Sequence, residues 1–219
     1  MIELIPESYV ARLDLPKIFG RNAPLHVDLG CGDGSFLCAL AARMPEKNFL
    51  GVERMLGRVR SALRKVAKID NGAGGSRATK TGKPARVGEP GGESINVRVL
   101  HLETSYAVRY LLSQSSVEAF YLLFPDPWPK RRHQRRRLMT PDFLNAIGDA
   151  LIAGGTLTIA TDQSDYFEQI RELAERSPNL STASPNESNS FPLSTFEKRF
   201  KSDGTSIYRL ELRKISPVT

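Results

Sequence analysis

Apolar and polar positions change period several times along this chain, and each change marks a predicted strand or helix. Leu25–Leu29 is a short, largely apolar strand. Ser35–Arg43 puts Phe36, Ala39 and Leu40 on one face, with Pro45 just beyond, and predicts a helix. Asn48–Val52 makes a second strand that ends at Glu53, and Leu56–Ile69 is a basic amphipathic helix. Asn96–Leu100 is a third strand and Ala107–Leu112 a short helix. Val117–Phe124 is apolar apart from Glu118, as suits a strand covered on both faces. Thr140-Pro141-Asp142 starts a helix with a Thr cap and Pro in the first turn. That helix ends before Gly154-Gly155, and Thr156–Thr161 is the fifth strand. Tyr166–Glu175 is a further helix. Phe196–Lys201 and Thr205–Arg213, joined by Ser202-Asp203-Gly204, read as a hairpin. Strands alternating with helices imply an α/β fold with a doubly wound, mostly parallel sheet, expected to have seven strands and a C-terminal antiparallel hairpin.

Residues 1–219 are expected to form one domain, with two stretches outside its core. Asn71–Gly92 holds seven glycines in 22 residues and one large apolar side chain, Val87. Such a segment buries too little surface to offset the entropy of ordering and reads as a flexible Gly-rich insertion. Ser177–Pro192 is rich in Ser, Asn and Pro and reads as a loop.

Net charge changes this picture. The chain carries +7, and six positive charges with no acid fall within Lys130–Arg137. Like charges packed this densely repel one another, so a local polyanion is the better explanation for them. If all six met phosphates, log K would fall with log salt at a slope of about −4 to −5. Cys31 and Cys38 are spaced for neither a zinc site nor a disulfide framework, and no metal is expected. The longest apolar run, Ala119–Phe124, is too short to span a bilayer. With no signal peptide evident, a cytoplasmic protein without a membrane partner is expected.

The candidate chemistry gathers at strand ends. Asp28, Glu53, Glu103, Asp126 and Asp162 each fall at or near the end of a predicted strand, the rim where α/β sheets bind ligands. Asp28 precedes Gly30, Gly32 and Gly34. A dinucleotide loop wants its third glycine where this chain has Ser35. An acid two residues before Gly30 suits a cationic ligand better than a pyrophosphate. S-adenosylmethionine, with an ammonium and a sulfonium, fits that requirement, and Glu53 is placed for its ribose hydroxyls. Pro125, Pro127 and Pro129 stiffen the loop that holds Asp126 and Trp128. An ionised Asp can accept both N1–H and N2–H of guanine, and Trp128 offers a stacking face.

The run Phe124-Pro125-Asp126-Pro127-Trp128-Pro129-Lys130-Arg131-Arg132-His133, with Ala160-Thr161-Asp162 and Ser194-Thr195-Phe196-Glu197, resembles the bacterial tRNA (guanine-N7-)-methyltransferases. These form the TrmB family of class I S-adenosylmethionine-dependent enzymes, with a Rossmann-like fold. The resemblance implies a cytoplasmic transferase of tRNA processing that makes 7-methylguanosine, at position 46 in the variable loop. It implies that Asp28, Glu53, Glu103 and Asp126 line the cofactor site and that Asp126 is catalytic. Lys130, Asp162, Ser194, Thr195, Phe196 and Glu197 would contact the guanosine, with Trp128 beside it. Arg131, Arg132, Arg135, Arg136 and Arg137 are assigned to tRNA phosphates. The chain departs from the family in carrying Asp28 where Glu is common and Glu103 where Asp is usual. Ser194 stands where Thr is usual. Other readings are methylation of another RNA, a protein or a small molecule, a nicotinamide-dependent oxidoreductase, and a non-catalytic RNA-binding protein. Either a monomer or a homodimer is compatible with the sequence.

Overall fold

The structure, a computed structural model, describes residues 2–73, 96–183 and 191–215. Its strands are β1 (Glu3–Leu4), β2 (Leu25–Leu29), β3 (Asn48–Glu53), β4 (Val97–His101), β5 (Val117–Leu123), β6 (Leu151–Thr161), β7 (Leu180–Ala183) and β8 (Tyr208–Lys214). They form one sheet in the order β1-β4-β3-β2-β5-β6-β8-β7. Pairings among β1 to β6 are parallel, and β8 runs antiparallel to both β6 and β7. The strand order reverses at β2, which lies between β3 and β5. Such a reversal opens a crevice beyond the carboxyl ends of the strands.

The helices are α1 (Leu15–Phe19), α2 (Ser35–Arg43), α3 (Leu56–Ala73), α4 (Thr104–Tyr106), α5 (Pro141–Ala150), α6 (Ser164–Glu175) and α7 (Thr195–Ser202). A π-helical turn continues α4 over Ala107–Leu111, and a 3-10 helix spans Arg131–Arg136.

Alternate residues of the central strands feed two cores. Val27, Leu29, Val52, Phe120, Leu122 and Ile159 pack against Phe143 and Ile147 of α5 and Tyr166 and Ile170 of α6. Phe49, Val99, Ala119 and Tyr121 face the other way, against Phe36, Leu37 and Leu40 of α2 and Val59, Ala62 and Val66 of α3. Cys31 and Cys38 join this second core as buried free thiols.

Three expectations need correction. First, Phe196–Lys201 is not a hairpin strand: it lies within α7. Ser194 caps this helix by accepting from the Glu197 backbone N–H at 3.1 Å, and Phe196 and Phe200 stack one turn apart. The pattern there has period four, not two. The antiparallel partners of β8 are β6 and β7 instead. Second, Leu180–Ala183 inside the Ser/Asn/Pro-rich stretch is a strand, drawn into the sheet by pairing with β8 and by the buried Leu180. The 184–190 part of that stretch lies outside the described residues. Third, Glu3–Leu4 adds an eighth strand beside β4. Of the Gly-rich insertion, 71–73 complete α3 and the remainder lies outside the described residues.

Candidate active site

The five acids lie at or just beyond the carboxyl ends of mutually parallel strands, β2 to β6, and so stand at one rim. Two adjoining cavities open there. The larger, about 450 Å³, is lined by Glu53, Arg54, Glu103, Asp126, Trp128 and Arg136 among others. The smaller, about 220 Å³, is lined by Asp28, Gly32, Phe36, Ser194, Thr195 and Phe196 among others. Gly30, Arg58, Leu123 and Phe124 border both, so Asp28 and Asp126 face one continuous crevice.

The glycine turn is shaped by backbone requirements. Gly30, Gly32 and Gly34 take φ of 78°, 57° and 75°, a region costly for residues with a Cβ. The Gly30 N–H donates to the Val52 carbonyl at 2.8 Å and ties the turn to β3. A Cβ at Gly30 would meet nothing within 4 Å, so the turn leaves open space beside the crevice. Gly34 has another task. It lines neither cavity, and a Cβ there would lie 2.8 Å from Cβ of Ala62. It lets α2 begin directly against α3.

Glu53 ends β3 and is buried. One carboxylate oxygen accepts from the Gly32 N–H at 3.0 Å and the other from the Met55 N–H at 2.8 Å. A carboxylate has about four acceptor positions, so two remain for a ligand. Asp28 is also buried, and burial first, then the nearby Glu53 charge, pushes its carboxyl up to about 7. Among the described residues it has neither a hydrogen-bond donor nor an ion-pair partner. Glu103 caps α4, accepting from the Ser105 N–H at 2.9 Å and the Tyr106 N–H at 2.7 Å.

The loop after β5 is held in an unusual shape. Phe124 has φ 53° and Trp128 has φ 44°, left-handed values that side chains rarely adopt and that concentrate at functional sites. Phe124 is fixed by its N–H donating to the Ala160 carbonyl at 2.7 Å. Asp126 is exposed and accepts from Arg54 Nη2 at 3.1 Å across the crevice. Trp128 has the Arg136 guanidinium over its ring at 5.1 Å and His133 edge-on at 5.9 Å.

The cationic run divides. Lys130, Arg131, Arg132, Arg135 and Arg136 are exposed. Arg137 is only 5% exposed, and its guanidinium bonds the Pro127 carbonyl, Gln169 and Asp165 and lies over the Tyr166 ring. Unlike its exposed neighbours, it is committed to partners within the fold.

Lys130, Asp162 and Glu197 line neither cavity. Asp162 accepts from the Gln163 amide at 2.8 Å, and Glu197 is buried in an ion pair with Arg209. Arg54, Met55, Arg58 and Phe36 line the crevice but escaped the sequence reading. For Arg54 a signal existed, since it directly follows the strand-end acid Glu53.

Among the described residues no group of three or more His, Cys, Asp or Glu is placed to hold a metal, and no helix is long and apolar enough to cross a membrane.

Solved structures share this fold across nearly the whole chain. The "Structure of an Antibiotic Related Methyltransferase" matches with TM-score 0.54 at 18% identity, covering 96% of this chain and 95% of that one. A SAM-dependent O-methyltransferase from Thermotoga maritima matches with TM-score 0.53 at 13% identity, covering 95% of this chain and 69% of that one. The fold is thus the Rossmann-like α/β fold of class I methyltransferases. Residues 22–210 match the model of a family described as "Putative methyltransferase". The tRNA (guanine-N(7)-)-methyltransferase of Leifsonia xyli is 36% identical over 93% of this chain and 82% of its own length. That of Rubrobacter xylanophilus is 34% identical over 91% and 81%. The chain belongs to the tRNA (guanine-N(7)-)-methyltransferase family.

Proposed function

We propose that this enzyme methylates N7 of guanine in tRNA, with S-adenosylmethionine as methyl donor. The carrying observation is that Asp126 stands on a strained, proline-stiffened loop where the acid-lined crevice meets the exposed cations of 131–136. The close relatives bear the same activity in their names.

The residues present fit the donor. Asp28 is a buried acid without a partner among the described residues, facing a cavity beside a glycine turn that leaves room for a ligand. A cationic ligand supplies the missing counter-charge. Asp28 would hold the amino-acid end and Glu53 the ribose, with Glu103 at the rim of the larger cavity. When bound, S-adenosylmethionine supplies an electrophilic methyl group.

Guanine N7 carries an in-plane lone pair and no proton, so the protein needs no general base to expose it. Its main contribution is positioning. Asp126 accepts from the N1–H and N2–H edge, which orients the ring, and its charge favours the cationic product. Arg54 leaves Asp126 or shares it when the base enters. Ser194, Thr195 and Phe196 close the opposite wall. Exposed Arg131, Arg132 and Arg135 meet the RNA backbone, which positions the substrate.

The test is nucleoside analysis of tRNA after incubation with the protein and S-adenosylmethionine. The expected product is 7-methylguanosine, reduced at least about a hundredfold by Asp126→Ala, a loss typical of removing an electrostatic contact to the reacting group. Absence of the product, or unchanged turnover in Asp126→Ala, overturns the reading.

A further inference from the structure

α3 carries a cationic ridge that the crevice itself does not use. Arg60, Arg64 and Lys68 follow one another at four-residue intervals, and all three are exposed. Four residues advance a helix by about 6 Å, so the charges stand in a row along one side. Val59, Ala62 and Val66 fill the other side and pack into the core. No Asp or Glu occurs from Arg54 to Lys68. Lys65 is paired with Asp33, but among the described residues the three ridge cations have no ion-pair partner. Like charges one turn apart weaken a helix, so the fold gains nothing from this arrangement.

The first turn of α3 borders the crevice, on a different side of the helix from the ridge. Arg58, half a turn before Arg60, borders both cavities and lies over the Phe196 ring at 5.8 Å. Arg54 reaches Asp126. Cations thus stand both where α3 meets the crevice, at Arg54 and Arg58, and along the exposed side of the same helix, at Arg60, Arg64 and Lys68. The other cationic segment, 131–136, follows β5, whereas α3 follows β3, and β2 lies between those two strands. The two positive surfaces flank the crevice.

The geometry points to the Arg60–Arg64–Lys68 ridge as a second phosphate track, which grips the RNA backbone on the side of the crevice away from 131–136. This rests on the RNA-methylating reading above. A strand that threads the crevice is held at both ends, and the base between them is presented to Asp126.

The experiment measures binding of bulk tRNA by fluorescence anisotropy over a salt series. It compares the native protein with Arg60→Ala/Arg64→Ala/Lys68→Ala. A control, Lys17→Ala/Arg43→Ala/Arg176→Ala, removes the same charge from positions that line neither cavity. The ridge variant is expected to bind tRNA at least about tenfold more weakly at low salt, with a log–log salt slope shallower by about 2–3. The control keeps the native slope, and calorimetric affinity for S-adenosylmethionine stays unchanged in both. A native slope in the ridge variant, or an equal loss in the control, overturns the inference. If the Ala variant fails to fold, the corresponding Gln variant, which keeps side-chain length, is read by the same criteria. Formation of 7-methylguanosine by the native protein is scored separately. Its absence would defeat the proposed function, while the slope comparison still decides the ridge.

Discussion

Arg137 holds the loop that carries Asp126: its Nε donates to the carbonyl of Pro127, one residue after Asp126, at 2.7 Å. The same guanidinium reaches Gln169 at 2.7 Å and pairs with Asp165, both on α6. A cation in a run that reads as a docking surface thus ties the active-site loop to the scaffold.

Arg137→Ala should lower stability by about 2–3 kcal/mol, since hydrogen bonds from a charged group and a buried side chain are lost together. For a chain of this size that is roughly 4–12 °C in Tm. Activity should fall with it, because Asp126 loses its support. Arg135→Ala, at an exposed position, should change stability by no more than about 0.5 kcal/mol and weaken tRNA binding. Thermal melts and tRNA titrations of the pair make the comparison; equal stability in both would refute the clamp.

Asp28 makes stability depend on pH. Its carboxyl titrates at about 7 in the folded protein against 3.8 ordinarily, so the folded state holds its proton more tightly. As pH rises above the ordinary value, the unfolded chain sheds that proton first, and stability falls until about pH 7. The full loss is of order 4 kcal/mol. Asp28→Asn should therefore stabilise the ligand-free protein, by a margin that grows from about pH 4 to 7 and is flat above. It should also weaken S-adenosylmethionine binding. Urea midpoints across pH and calorimetric titration check both, and a margin that does not vary with pH would contradict the assignment.

Binding a cation beside Asp28 should draw its proton off. Calorimetry of S-adenosylmethionine binding near pH 7, in buffers of different ionisation enthalpy, should show proton release in the native protein and none in Asp28→Asn.

Gly34→Ala should destabilise by about 1–3 kcal/mol, because the new methyl group meets Ala62 at 2.8 Å and φ is 75°. Adding Ala62→Gly removes the nearest contact but leaves the Cα at position 62 only 3.0 Å away and the backbone strain in place, so recovery should be partial. Urea unfolding with an unchanged m-value is the readout.

Glu53→Ala frees the Gly32 and Met55 amides, its two backbone partners. Hydrogen exchange at those amides should accelerate while β3 and β4 stay protected. Cofactor affinity should fall with it.

Much of this was legible from residue order. The strands Leu25–Leu29 and Val117–Leu123 are short, largely apolar runs, α2 and α5 carry apolar faces, and α5 has its Thr140 cap. The positions of Asp28, Glu53 and Asp126 follow directly, because the end of a parallel strand is set by local pattern and all such ends share one rim. Local pattern also limits what can be read. Phe196–Lys201 is short enough to be read as the first arm of a hairpin, and the Phe124 ring, packed on both Phe196 and Phe200, shows the helical period in use. Leu180–Ala183 is a strand only because β8 lies beside it.

The chain's order of residues determined the alternation of strands and helices, the acids at the rim, the rigid Pro-Asp-Pro-Trp loop and the positive charge beside it. These depend on neighbours in sequence, whose periodicity and turn chemistry act over a few residues. Tertiary structure decided which of those charges face water and which face inward. Arg136 covers Trp128 while Arg137, the next residue, lies under the loop against α6. Burial is a property of what packs against a residue from elsewhere in the chain, and no stretch of sequence contains that on its own.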